Sequence, residues 1–85
     1  MFQASEIKRL IMAGLQCDFI EVEGDDGVHF QAIVVSPAFD GMSTLNQHRA
    51  VKATLGSLMG NEIHALGLKT YTPARWEVVR KELDL

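Results

Sequence analysis

Two branched apolar runs, VHFQAIVV (28–35) and EIHALGLKTY (62–71), are held apart by a long intervening segment, and that segment constrains the fold most. It opens with SPAFDGMS (36–43), where Ser36-Pro37 stops a strand and Asp40-Gly41 leaves room for at most one helical turn. It continues as TLNQHRAVKATLGSLM, in which Leu45, His48, Val51, Leu55 and Leu58 recur at steps of three and four. Thr44 and Gln47 have the spacing of a capping box, and Gly60-Asn61 ends the helix. The two runs read as strands joined by a helical crossover, so as sheet neighbours they lie parallel.

The rest of the chain builds around that unit. FQASEIKRLIMAGL puts Ile7, Leu10 and Ile11 on one helical face, with Gly14 suited to its end. CDFIEVE alternates as a strand with one wet face, and the turn formers GDDG (24–27) join it to VHFQAIVV as an antiparallel hairpin. Thr72-Pro73 starts a last helix, with threonine as cap and proline at the first helical position; Trp76, Val79 and Leu83 form its apolar face. The order is α-β-β-α-α-β-α. We read residues 1–85 as one α+β domain, a three-stranded mixed sheet with the helices packed over one face.

Composition narrows what such a domain does. Hydrophobic residues make up 47% of the chain and charged ones 22%, a globular balance rather than a disordered one. No apolar run reaches the ~20 residues of a membrane span, and MFQASEIKRL lacks the pattern of a signal peptide. The lone Cys17 cannot form an intrachain disulfide, which fits a cytoplasmic, reducing setting. Net charge is −3, against the positive excess of dedicated nucleic-acid binders. Its distribution is uneven: residues 1–42 carry two basic and seven acidic groups (−5), residues 43–85 six basic and four acidic (+2). No phosphate-binding loop, nucleophile elbow, zinc-protease helix or C-x-x-C is present, so the chain does not read as an enzyme.

The histidines carry the chemistry worth following. Parallel neighbours begin at the same sheet edge, ~4.8 Å apart, so the crossover brings His29 and His64, each at a strand start, to one edge. Imidazole suits iron, copper and zinc, but two histidines leave a metal under-coordinated, to be completed by another molecule. The alternative for His64 is structural. Its alternation groups it with Leu66 and Leu68, as for a partly buried histidine bonded to backbone. Cys17 begins the first strand and so falls at the far edge, as a plain buried thiol. His48 sits on a helix stripe as a packed residue. Asp25 and Asp26 read as ordinary turn residues, and Arg49, Lys52, Lys69 and Arg75 form a basic patch only if their faces coincide.

HFQAIVVSPAFDGMSTLNQHRAVKATL followed by IHALGLKTYTPARW resembles the BolA family, in particular its short bacterial IbaG-like branch. The likeness runs over essentially the whole chain and is most specific in VVSPAFDGMS, the QHR of 47–49 and IHAL…KTYTPARW. It implies a fold similar to a type II KH domain and a role in stress responses. It also implies a partner, a monothiol glutaredoxin, with which BolA-like proteins share a [2Fe–2S] cluster. Glutaredoxin cysteine and glutathione supply thiolates, and the BolA side supplies the histidine of its IHAL-type motif, here His64, and a second ligand from the loop before the second strand, here His29. No cluster is expected to be held tightly by this chain alone, as a monomer or weak homodimer. The KH likeness implies nucleic-acid binding as a second reading, with Arg49, Lys52, Lys69 and Arg75 as contacts. The turn AFDGMST, however, has Gly41 alone where a KH domain grips nucleic acid with G-x-x-G.

Overall fold

The computed structural model describes residues 2–83. Its order is α1 (Ala4–Gly14), β1 (Phe19–Glu23), β2 (His29–Val35), a 3-10 turn (Pro37–Phe39), α2 (Thr44–Leu55), a second 3-10 turn (Gly56–Leu58), β3 (Ala65–Tyr71) and α3 (Pro73–Glu82). The sheet order is β1-β2-β3, antiparallel between β1 and β2 and parallel between β2 and β3. The crossover thus joins neighbouring parallel strands, as the sequence predicts.

Alternation along β2 sorts the packing. Phe30, Ala32 and Val34 are buried on one face with Ile20, and there Ile7 and Ile11 of α1 meet Val51 and Leu55 of α2. Phe39 and Ile63, both fully buried, join this core from the crossover. The two long helices approach closely at one point: a Cβ on Gly14 would stand 2.7 Å from Thr54 Cγ2. Gly14 does end α1, but the reason is this close contact rather than a left-handed backbone.

The expectation of helices over one face holds for α1 and α2 only. Helix α3 takes the opposite face, because Val35, Ile33, Phe19 and Tyr71, all of the other alternation, form a second apolar cluster that Trp76 and Val79 cover. The Trp76 ring stacks on Phe19 at 4.9 Å and lies tilted 5.6 Å from Tyr71. Leu83, expected on the apolar face of α3, is exposed. Both faces of β2 are apolar at its C-terminal end for this reason, whereas His29 and Gln31 at the other end are left to solvent.

Two caps differ from the sequence reading. Ser43, not Thr44, caps α2, its hydroxyl accepting from the Asn46 amide at 3.1 Å. Gln47 is buried instead and donates through Nε2 to the Met42 carbonyl. The helix ends at Leu55 because Gly56 turns the chain at φ 56°, before the expected Gly60-Asn61. Thr72 caps α3 as expected, accepting from the Arg75 amide at 3.2 Å.

Because Trp76 is the main anchor of α3, Trp76→Ala should lower stability by about 3–5 kcal/mol, the usual loss for deleting a buried aromatic. Urea unfolding followed by circular dichroism checks this. A loss under 1 kcal/mol would mean that α3 contributes little to the fold.

Candidate metal centre

The hairpin between β1 and β2 fixes the first histidine. Gly24 lets the backbone pass close to the strand it leads into, since a Cβ there would meet Phe30 Cδ1 at 2.5 Å and the His29 carbonyl at 2.6 Å. Beyond it, Asp26 folds back over the start of β2. Its Oδ1 accepts from the amides of Val28 (2.9 Å) and His29 (2.8 Å), and its Oδ2 lies 2.7 Å from His29 Nδ1. Three hydrogen bonds on one carboxylate stabilise its charged form. The His29 amide, then the Val28 amide and the His29 ring, hold Asp26 well below the usual carboxylate range. The His29 side chain remains 67% exposed.

The crossover fixes the second histidine through backbone. Ile63, fully buried, donates its amide to the Leu58 carbonyl and accepts from Gly60. The next two amides, of His64 and Ala65, both donate to the Val28 carbonyl, at 3.1 and 3.2 Å. His64 is therefore held between a core anchor and the first residue of β3. Its side chain is exposed, and among the described residues its ring makes no hydrogen bond. The alternative of a partly buried, backbone-bonded imidazole is not what the structure contains.

The register pairs His29 with Ala65, so the histidines are diagonal neighbours one residue out of step. Strand spacing and rise put their Cα atoms roughly 6 Å apart. His29 lies on the α3 side of the sheet, at the rim of an open depression bordered by Glu23, Gln31, Ala65 and Gly67. No group of three or more His, Cys, Asp or Glu able to hold a metal occurs among the described residues. By alternation His64 goes with Leu66 and Leu68 toward the inner core, while His29 is on the outer face. The strand starts are adjacent, but the two histidines flank the sheet edge from different sides.

Cys17 lies beyond the opposite strand end, since Phe19 pairs with Val35. Its thiol is half-buried, bonds the Leu15 carbonyl at 3.6 Å, and is pushed up by burial and by the Asp18 charge. His48 is half-buried on α2. The four cationic residues do not share a face: Arg49 and Lys52 are exposed on α2, over the inner face of the sheet, while Lys69 and Arg75 belong to the outer face and α3. Asp26 is the residue that sequence reasoning missed. The visible signal was an aspartate three positions before a histidine across a glycine.

Residues 9–75 match the family described as BolA-like protein. The chain belongs to the BolA-like family. Among BolA-like relatives, it is 41% identical over 78 residues to the acid stress protein IbaG of Escherichia coli (strain K12), covering 91% of this chain and 92% of that protein. The structure of a BolA homologue from Coxiella burnetii superposes with a TM-score of 0.78 at 45% identity, covering 91% of this chain and 99% of that one. The DNA-binding transcriptional regulator BolA of Vibrio cholerae is 41% identical over 54 residues, 64% of this chain and 51% of its own length.

The lowered proton affinity of Asp26 sets a direction for its pH dependence. Its ordering of the loop is complete above the unfolded carboxylate value, ~3.9, and is lost as pH falls through the lower folded value. At neutral pH, Asp26→Ala should speed hydrogen exchange of the Val28 and His29 amides. Asp26→Asn, which keeps an acceptor, should stay near wild type. Unchanged exchange in the alanine variant would remove Asp26 from this role.

Proposed function

We propose that this protein is a non-enzymatic adaptor that shares a [2Fe–2S] cluster with a monothiol glutaredoxin, in cluster trafficking or sensing during stress. The cluster is cargo here, and His64 and His29 are its nitrogen ligands, with glutaredoxin cysteine and glutathione supplying thiolates. The observation carrying this reading is the pair of exposed imidazoles on adjacent parallel strand ends, with too few ligands nearby to hold a metal alone. Mixed imidazole and thiolate ligation is a stable chemistry for such clusters. The ring of His64 is unencumbered and that of His29 is anchored on one nitrogen, so each has a ring nitrogen to offer.

The test mixes the protein with cluster-loaded glutaredoxin and follows visible absorption and circular dichroism. His64→Ala should abolish the spectral change that wild type produces, and His29→Ala should weaken it. A spectrum unaltered by His64→Ala would reject the ligand role. Binding that is equally tight with cluster-free glutaredoxin would point to a plain protein-interaction domain. Since only neutral imidazole ligates, the shared cluster should also weaken on acidification.

Nucleic-acid binding is a second reading, favoured by the name of the Vibrio cholerae relative. Against it stand the net charge of −3 and the division of the four cationic residues between two sides of the sheet. We expect no salt-dependent gel shift with duplex DNA. A shift lost in Arg49→Ala, Lys52→Ala or Arg75→Ala would reverse the ranking, because each phosphate contact removed lowers the salt dependence by about one unit.

A further inference from the structure

We propose that Asp26 is a positioning residue that fixes the His29 ring as its Nδ1–H tautomer and so presents a bare Nε2 to the metal. The purpose of this device rests on the ligand reading above; its chemistry rests on the hydrogen bond alone.

Asp26 Oδ2 stands 2.7 Å from His29 Nδ1, a short contact for a nitrogen donor and an ionised oxygen. An ionised carboxylate has no proton to give, so the proton between these atoms belongs to Nδ1. The bonds from the Val28 and His29 amides to the other oxygen keep that carboxylate charged and aimed. In the neutral ring one nitrogen carries the proton and the other the lone pair. With Nδ1 occupied, the lone pair is on Nε2, on the ring edge away from Asp26. Carboxylate, histidine and metal in line is the arrangement by which proteins set a ligand's tautomer and raise its basicity.

Three features of the chain serve this placement. The hairpin turns tightly enough to bring residue 26 over residue 29, with Gly27 at φ 81° and Gly24 packed under Phe30. The carboxylate is pinned by backbone and not by a mobile side chain. His29 is the first residue of β2, so its backbone is set by pairing with Ala65. His64 has no equivalent partner among the described residues, so the two ligands differ: one ring is preset and the other is free to turn.

The experiment reads the tautomer directly in the cluster-free protein. Long-range proton–nitrogen correlation spectra of the ¹⁵N-labelled chain, at a pH where the imidazole is neutral, distinguish a protonated from a bare ring nitrogen. Wild type should show protonated Nδ1 and bare Nε2 at His29. Asp26→Asn keeps an oxygen for the two backbone amides but can turn an amide N–H toward Nδ1, so the ring should switch to protonated Nε2. In the glutaredoxin mixture the same variant should weaken the cluster-loaded complex by about 10–100-fold, the usual cost of losing such a partner. A wild-type ring with protonated Nε2, an even mixture of tautomers, or a spectrum unchanged by Asp26→Asn would overturn the proposal. A switched tautomer with an undiminished complex, while His29→Ala still weakens it, would overturn the link to metal binding. If His29→Ala also left the cluster untouched, the ligand reading itself would fall while the Asp26 geometry stood.

Discussion

Everything in this domain is arranged around the parallel pairing of β2 with β3. Strand β2 is central, so its seven residues must satisfy antiparallel hydrogen bonds on one side and parallel ones on the other. A crossover is required to return the chain in the parallel sense, and the two helices flanking that path bury the inner face. The same pairing aligns the strand starts. Backbone hydrogen bonds that hold the sheet together are therefore also what set the separation of His29 and His64, and core packing at Ile63 holds the second of them in place.

The outer face of the sheet is divided along its length. At the end where β2 finishes, Val35, Phe19, Tyr71 and Trp76 pack together and α3 covers them. At the end where β2 begins, Gln31, Ala65 and Gly67 leave the surface open beside His29. One end anchors and the other is accessible. Large rings at the accessible end would add to core stability but would also close over the histidine.

Much of this was legible beforehand. The element order followed from period changes, from Thr72-Pro73 and from the turn formers, and the placing of His29 and His64 at one sheet edge followed from the crossover. Three things were not legible, each for a physical reason. The side taken by α3 depends on which alternation of β2 and β1 it matches, and VHFQAIVV is apolar in both. Thr44 reads as the cap of α2, one residue late, because either hydroxyl of Ser43-Thr44 can cap and the burial of Gln47, which removes it from a capping box, is not visible in the sequence. Asp26 looked like any turn aspartate, since hydrogen bonds across a tight hairpin depend on the left-handed turn at Gly27, which composition does not report.

The position of Cys17 has a consequence for redox behaviour. Sulfur is the most easily oxidised ligand type, and the chain's single thiol is kept at the opposite end of the sheet with burial opposing its ionisation. The edge bearing the histidines offers imidazole nitrogen and carboxylate oxygen but no thiol, and peroxide does not attack these as it attacks thiolate. In a complex assembled as proposed, oxidative damage to ligands would fall on the thiol-bearing side, and this chain would emerge able to engage a fresh partner.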